Sequence, residues 1–112
     1  MDIPDDILAE LRALGRKVQR FDEAGKTYIY VEGHQLPEGC DPPMADVLLC
    51  PQERDGYPSR LFFSQRVTSA SGRQFVHEAR IAERQWYAIS WRVDRTDLRP
   101  AQLIAAHLRA LR

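Results

Sequence analysis

The sequence predicts a single α+β domain in which helices pack on one face of an antiparallel sheet. The predicted elements run in the order helix, strands, helix, without the strand-helix-strand alternation that parallel sheets require. Turn signals rich in glycine, proline and serine separate the strands. A length of 112 residues is that of one domain, so residues 1–112 are predicted to share one core.

The first predicted element is a helix over residues 4–14. Its apolar side chains recur at helical spacing and are Ile7, Leu11 and Leu14. Pro4 suits the first turn of a helix, and Gly15 is a typical residue at a helix end.

The middle of the chain is predicted to be a meander of four or slightly more antiparallel strands. The predicted strands cover residues 16–21, 27–31, 45–50, 60–67, 73–79 and 85–91. Turns are predicted at residues 23–25, 52–59 and 69–72. Residues 33–44 hold two glycines and three prolines, which predicts a long loop.

The second strand has two different faces. Strand alternation places Ile29 and Val31 on one face and Tyr28 and Tyr30 on the other. One of these faces meets the core, and the other presents either a tyrosine strip or an aliphatic strip.

The last predicted element is a helix over residues 96–111. Thr96 or Asp97 is predicted to cap it, and Pro100 is tolerated in the first turn. The buried stripe is predicted to consist of Ile104, Leu108 and Leu111.

The charge balance argues against nucleic acid as a partner. The chain carries 16 basic and 16 acidic side chains, so non-specific attraction to phosphates should be weak. No apolar run is long enough to span a bilayer and no signal peptide is evident, so a soluble, cytoplasmic protein is expected. Most of the acidic groups lie in residues 1–55 and most of the basic groups in residues 56–112. Either folding interleaves these charges, or an arginine-bearing surface meets an acidic partner.

Familiar catalytic and metal-binding patterns are absent from the sequence. No glycines are spaced to cradle a phosphate, and His34, Cys40 and Cys50 are too few and too scattered for zinc. Ser69 or Ser71 could pair with His77 for acyl transfer, but a serine-rich turn beside a strand histidine is more often only a turn. His107 is predicted to be a partly buried packing residue rather than a base. No cofactor is implied.

The two cysteines are predicted to have different environments. Cys50 ends an apolar run, where cysteine behaves as a small buried hydrophobic residue. Cys40 lies in the predicted loop and is expected to be more exposed. Acidic neighbours would raise its thiol pKa, which argues against a reactive thiolate.

An ordered set of short motifs runs through residues 27–111. In order, they are Val31-Glu32-Gly33, Leu36-Pro37, Gly39, Asp46-Val47-Leu48-Leu49, Tyr57-Pro58, Leu61-Phe62-Phe63, Gly72, Trp86 and Trp91. This set resembles the ubiquitin-conjugating-enzyme superfamily, and in particular its bacterial branch, the prokaryotic ubiquitin-conjugating family E. The resemblance implies a helix followed by a four-stranded antiparallel meander and further helical structure. In that fold Tyr57 and Pro58 have a structural role, because proline restricts the backbone and can anchor a sharp strand connection.

The departures from the family concern its catalytic groups. A conjugating enzyme carries its nucleophilic cysteine after the Tyr-Pro strand, whereas Cys40 and Cys50 both precede it. The family's oxyanion-stabilising asparagine is also missing, since the chain contains no asparagine. A thioester carrier needs both a thiolate and donors aimed at the developing charge.

The resemblance therefore implies a non-catalytic protein of this superfamily. Its partner would be a ubiquitin-like protein, or an activating or conjugating enzyme, in a bacterial ubiquitin-like conjugation system, of which antiviral defence is one setting. Because aromatic side chains dominate interface energetics, the candidate partner-binding residues are Tyr28, Tyr30, Trp86 and Trp91. Core packing is the alternative for each of them.

Two other hypotheses stay open. The first is an atypical conjugating enzyme whose acceptor is Cys40, a serine of the 69–71 turn, or His77. The second is a general protein-binding module that uses an exposed strand edge.

Overall fold

The computed structural model describes residues 17–95 and 97–112, together with the isolated residues Ala9 and Arg12. The rest of the helix predicted over residues 4–14 lies outside the described residues, as does Thr96, one of the two predicted caps of the last helix.

The described part of the chain forms one six-stranded antiparallel sheet and a C-terminal helix. The elements are β1 (Val18–Glu23), β2 (Lys26–Gln35), β3 (Met44–Cys50), β4 (Arg60–Phe63), β5 (His77–Ile81), β6 (Arg84–Ala88) and α1 (Pro100–Leu108), with a 3₁₀ turn over Arg109–Leu111. The strand order is β1-β2-β3-β4-β6-β5, and every strand pairing is antiparallel. The predicted α+β class with an antiparallel sheet is confirmed.

The prediction of a loop over residues 33–44 was wrong for residues 33–35, because β2 continues to Gln35. A register shift between Val31 and His34 marks a β-bulge that includes Gly33 at a φ of +60°. Glycine adopts this left-handed conformation without steric cost, so the strand bends and continues instead of ending. The Gly33 N–H donates to the Asp46 carboxylate at 2.9 Å, which satisfies a donor displaced from the ladder.

The predicted hairpin between the fourth and fifth strands was also wrong. The turn at 69–72 exists, with the Gly72 N–H donating to the Ser69 carbonyl, but the chain does not pair back on β4. Phe75 instead turns into the core, with its ring centroid 5.1 Å from that of Phe63. The fifth strand consequently begins at His77, and β6 rather than β5 lies next to β4.

The last helix is shorter than predicted. It begins at Pro100, and Arg99 rather than Thr96 or Asp97 occupies the N-cap position. The Gln102 side chain accepts the Arg99 N–H at 3.0 Å, so a glutamine supplies part of the cap. The predicted buried stripe is confirmed, and its members are Ile104, Leu108 and Leu111.

The sheet is curled rather than flat. Three strand intervals separate β2 from β6, a distance of about 14 Å in a flat sheet. The rings of Tyr30 on β2 and Trp86 on β6 nevertheless lie 6.2 Å apart and meet edge to face. The Ala82 N–H of the β5–β6 turn also donates to the Glu23 carboxylate at the end of β1. Opposite ends of the sheet therefore approach each other over one of its faces.

The curl gives the domain two apolar clusters, one on each face of the sheet. The larger cluster contains Ile29 and Val31 with the buried face of α1. The smaller lies inside the curl and contains Tyr28, Phe62 and Trp86. The predicted division of β2 into an aliphatic and a tyrosine face is confirmed, and the structure packs both of these faces.

Candidate functional site

In the described part of the chain, the inner face of the curled sheet opens to solvent between β1 and β6. We call this opening the concave cleft; it has a volume of about 360 Å³ and is lined by Gln19, Arg20, Phe21, Tyr30, Ala82, Arg84 and Trp86. Clefts of this size with aromatic walls and a few polar groups are the usual form of binding pockets. The cleft exists because β1 and β6 are brought together without being paired.

Arg84, a polar residue of the cleft, belongs to a hydrogen-bond network around Asp46, which lies beside the cleft and does not line it. The Asp46 carboxylate accepts hydrogen bonds from Arg84, at 2.8 Å, and from the Gly33 N–H. Burial would raise the pKa of Asp46, but these donors outweigh it and lower that pKa. Burial is the main cause that raises the pKa of the Tyr30 phenol, and the neighbouring Arg84 and Asp46 side chains also influence that pKa.

Arg84 also contributes an aromatic contact in the cleft. Its guanidinium carbon lies 4.8 Å from the centroid of the Trp86 ring, a cation–π distance. Arg84 is bound to Asp46 at the same time, which helps to hold the guanidinium over the tryptophan, although 45% of the Arg84 side chain is exposed to solvent. The cleft therefore presents a preorganised aromatic and cationic wall.

The four candidate partner-binding residues occupy two places. Tyr28, Tyr30 and Trp86 belong to the inner face, but Tyr28 and Trp86 are only 3% and 2% exposed. The Trp86 indole N–H donates to the Ile81 carbonyl at 3.1 Å, and the Tyr28 hydroxyl accepts from Arg54. Tyr28 is therefore a core residue. Trp86 can contact a partner only through the part of its ring that lines the cleft.

Trp91 lies elsewhere, in a groove between residues 91–95, together with Leu98, and α1. Its indole N–H faces the Ala106 carbonyl at 3.4 Å, and Arg73 stacks on its ring at 4.5 Å. The groove also contains Arg92 and Arg95, which are bound to Asp94 and Asp97. These ion pairs reduce the positive charge that an acidic partner would meet.

The serine and histidine residues considered for acyl transfer are not brought together. Ser69 and Ser71 bond to each other, and Ser71 donates to the Ala110 carbonyl at 2.6 Å. His77 instead has its Nε2 atom 2.7 Å from the Oγ atom of Ser90, a residue that sequence reasoning did not single out. Nothing in the sequence indicated that His77 and Ser90 are neighbours, because the antiparallel pairing of β5 and β6 brings them together.

Tyr57 and Pro58 lie in the connection between β3 and β4. The Tyr57 hydroxyl donates to Ser90 Oγ at 3.3 Å, and the Arg60 guanidinium carbon lies 4.3 Å from the ring centroid. This tyrosine therefore links the strand connection to the segment that follows β6.

Both thiols are in the protein interior. Cys50 is fully buried, as predicted, but the expected exposure of Cys40 was wrong, since that residue is 8% exposed. Cys40 is enclosed because its loop packs against the end of the chain, where its sulfur lies 4.0 Å from the Leu111 carbonyl oxygen. Burial raises the pKa of both thiols.

A second polar cluster, which the sequence did not reveal, lies inside the domain. The Ser59 Oγ and His107 Nε2 atoms are 2.9 Å apart, and both residues are buried. Burial, with a further contribution from the charge of Arg60, lowers the pKa of His107 to about 4. Arg60 is 2% exposed and contacts Asp55 at 3.4 Å, while its Nη2 atom has no hydrogen-bond partner among the residues that the structure describes.

Comparison with protein-family models, with curated proteins and with solved structures finds no match to this chain. Within residues 17–95 and 97–112, no group of three or more histidine, cysteine or acidic side chains is arranged to hold a metal ion. No helix in the described part of the chain is long and apolar enough to cross a membrane.

Proposed function

We propose that this chain is a non-catalytic binding domain of the ubiquitin-conjugating-enzyme-like superfamily. Its partner is a ubiquitin-like protein, or an activating or conjugating enzyme of a bacterial ubiquitin-like conjugation system. The observation that carries the proposal is the contrast between two buried thiols and one open aromatic cleft.

The thiols support a binding role over a carrier role. A thioester carrier exposes its thiol to a partner and lowers the thiol pKa, whereas burial here raises the pKa of Cys40 and Cys50. Neither sulfur lines the concave cleft.

The cleft supports a protein partner. Tyrosine, tryptophan and arginine are the side chains enriched at the centres of protein interfaces, and Tyr30, Trp86 and Arg84 meet in this cleft. The setting in a conjugation system rests on the ordered motif resemblance in residues 27–111.

The proposal is tested by measuring the affinity of the full chain for the ubiquitin-like protein and the activating enzyme encoded in the same genome. We expect a dissociation constant below about 50 μM for at least one of them, the range of weak specific complexes. Tyr30→Ala should weaken binding about tenfold or more, because Tyr30 is a half-buried wall of the cleft. Val76→Ala is the control, since Val76 is 65% exposed and does not line the cleft.

Two results would contradict this proposal. If neither protein binds at tens of micromolar, the setting in conjugation is wrong, and a general protein-binding module becomes the better description. If either protein binds equally well to the Tyr30→Ala variant, the partner uses another surface.

A second candidate function is favoured by the pair formed by His77 and Ser90. A serine hydroxyl 2.7 Å from an imidazole nitrogen has the separation of a nucleophile and its general base. Ser90 is exposed, so it could accept an acyl group from an activated thioester and release the free thiol, with His77 passing the proton. This version of the atypical conjugating enzyme uses Ser90 in place of the serines of the 69–71 turn.

Intact-mass measurement separates the two functions. The chain is incubated with the activating enzyme, ATP and the ubiquitin-like protein, and a covalent adduct lost in Ser90→Ala would support the carrier. Ser71→Ala is the control, because the Ser71 hydroxyl is bound to the Ala110 carbonyl. An unchanged mass for the native chain leaves the binding function as the one supported.

A further inference from the structure

The groove that contains Trp91, here called the Trp91 groove, has a regular wall. Its volume is about 490 Å³, and the wall on the side of α1 and the 3₁₀ turn consists of Gln102, Ala105, Ala106 and Arg109. These positions have the spacing i, i+3, i+4 and i+7, so they form one stripe along the helix. The stripe is about 10 Å long, which matches about three residues of extended chain.

The Trp91 groove is open because two alanines lie at the middle of the α1 stripe. Ala105 is exposed and Ala106 is half-buried, and their methyl groups leave open the space that longer side chains would fill. Trp91 and Leu98 are half-buried and give the groove an apolar floor. The Trp91 indole N–H faces the Ala106 carbonyl at 3.4 Å, which orients the ring against α1. An apolar side chain of a partner would find its contact surface here.

The lining of the Trp91 groove carries an excess of positive charge. Three arginines and one aspartate belong to it. Arg92 is paired with Asp94, and Arg95 is paired with Asp97. Arg109 is exposed and forms no ion pair among residues 17–95 and 97–112. The acidic groups of the groove are therefore already used, and the charge left for a partner is positive.

A further arginine reaches the Trp91 groove from the connection between β4 and β5. The guanidinium carbon of Arg73 lies 4.5 Å from the centroid of the Trp91 ring, a cation–π distance that holds this charge beside the indole. Arg73 is exposed and, within the described part of the chain, has no acidic partner. The fold thus places two arginines that lack carboxylates, Arg73 and Arg109, at one apolar groove.

We propose that the Trp91 groove binds an acidic segment of a protein partner. An apolar side chain of that segment packs on Trp91 and Leu98, and its carboxylates pair with Arg73 and Arg109, since arginine binds carboxylates through two parallel hydrogen bonds. A protein segment is favoured over nucleic acid because the 16 basic and 16 acidic side chains leave the chain without net charge. The inference goes beyond the proposed function, since the Trp91 groove and the concave cleft share no lining residue.

The test uses the full chain and a displayed library of random twelve-residue peptides. Peptides selected on the chain are synthesised with a fluorescent label, and their dissociation constants are measured by anisotropy. We expect selected peptides to carry acidic residues around one apolar residue and to bind below about 100 μM in 50 mM NaCl. Binding should weaken several-fold in 300 mM NaCl, because exposed charges are screened. The indole N–H resonance of Trp91 should shift on binding, and that of Trp86, which is bonded to the Ile81 carbonyl, should not.

Four variants separate the charge of the Trp91 groove from its shape. Arg109→Glu reverses an exposed charge and should weaken peptide binding about tenfold or more, whereas Arg80→Glu, the matched reversal at an exposed arginine of β5, should bind within about threefold of the native chain. Ala105→Phe retains every charge but fills the groove, and it should also weaken binding about tenfold or more. Ala105→Ser keeps the groove open and should bind like the native chain. Thermal unfolding of each variant verifies that it folds.

Several outcomes would overturn this inference. They are the absence of any selected peptide that binds below about 100 μM, selected peptides without acidic residues, and unaltered binding by folded Arg109→Glu or Ala105→Phe variants. A labelled oligonucleotide of twelve thymidines is measured in parallel, and tighter binding of it than of every peptide would assign the groove to nucleic acid instead.

The Tyr30→Ala variant separates this inference from the proposed function. Peptides that bind in the Trp91 groove should retain their affinity in Tyr30→Ala, because Tyr30 lines only the concave cleft of the two sites. If every selected peptide loses affinity in Tyr30→Ala and none does in Arg109→Glu, the groove proposal fails and the concave cleft is the binding site. If acidic peptides bind in the predicted way and no conjugation protein binds, the groove proposal stands and the conjugation setting fails.

Discussion

Ser59 on the helix-facing side of the sheet and His107 on α1 are joined by a 2.9 Å contact between Oγ and Nε2 in the interior of the domain. The contact ties the helix to the beginning of β4, whose first residue, Arg60, directly follows Ser59. It also buries a titratable ring next to a buried cation, which makes the stability of the domain sensitive to pH.

The pH dependence follows from the lowered pKa of His107, about 4 against an ordinary value of 6.5. Below pH 6.5 the unfolded chain takes up a proton that the folded chain resists, so stability is complete above pH 6.5 and is lost progressively toward pH 4. The loss attributable to this ring is at most about 3 kcal/mol. Denaturant unfolding at pH 7.0, 5.5 and 4.5 should show this loss of stability. The free energy of unfolding should depend less on pH in His107→Gln. Burial also lowers the pKa of His34, so His34 accounts for part of the pH dependence of stability that remains in His107→Gln. An unchanged slope in His107→Gln would refute this explanation.

Arg60 should control the titration of His107. Burial is the main cause of the low His107 pKa and the Arg60 charge is the second, so Arg60→Met should raise that pKa without restoring it to 6.5. Nuclear magnetic resonance titration of the ring protons measures this directly. Arg66→Met is a control, because the exposed Arg66 pairs with Glu78 and does not contribute to the His107 pKa. Equal His107 pKa values in the native chain and Arg60→Met would show that the two groups are uncoupled.

The thiols should be almost inert in the folded protein. Cys50 is fully buried and Cys40 is 8% exposed, so a disulfide reagent reaches either sulfur only after the chain opens locally or globally. We expect the native reaction at pH 7.5 to be slower than that in 8 M urea by about 100-fold or more. Single variants Cys40→Ser and Cys50→Ser assign the rates. A rapid native reaction of either thiol would also remove the main support for the binding function.

Asp46 should be more important for stability than an exposed carboxylate in a similar ion pair. Asp46→Ala leaves the Gly33 N–H and Arg84 without their acceptor, and the cost of such losses is about 1–3 kcal/mol. Asp94→Ala, which breaks the exposed pair with Arg92, should cost less than about 1 kcal/mol. Urea unfolding of the two variants at pH 7 gives the comparison. Similar losses in both would mean that the network around the β-bulge contributes nothing beyond a surface ion pair.

Local patterns in the sequence were sufficient for the class of the fold and for most of its elements. The alternation of β2 assigned its two faces, and the helical spacing of Ile104, Leu108 and Leu111 identified the buried stripe of α1 and the 3₁₀ turn that follows it. The position of β5 was not predictable from the turn at 69–72, because the burial of Phe75 competes with strand pairing and the competition is decided by long-range packing.

The candidate site was predictable only in part. Aromatic composition indicated Tyr30 and Trp86, but their contact across three strand intervals depends on the curl of the sheet. Cys40 was expected to be exposed because its neighbours in sequence are polar, whereas its burial comes from the last residues of the chain. The meeting of His77 with Ser90 likewise follows from strand register rather than from sequence spacing.

The sequence by itself determined which segments form strands and helix, which of their faces are apolar, and that the sheet is antiparallel, because these properties depend on side-chain periodicity and turn chemistry within a few residues. Only the tertiary structure decided that the ends of the sheet approach each other, that both thiols are enclosed and that a cleft opens between β1 and β6. Those features depend on contacts between residues far apart in the chain, and local periodicity carries no information about such contacts.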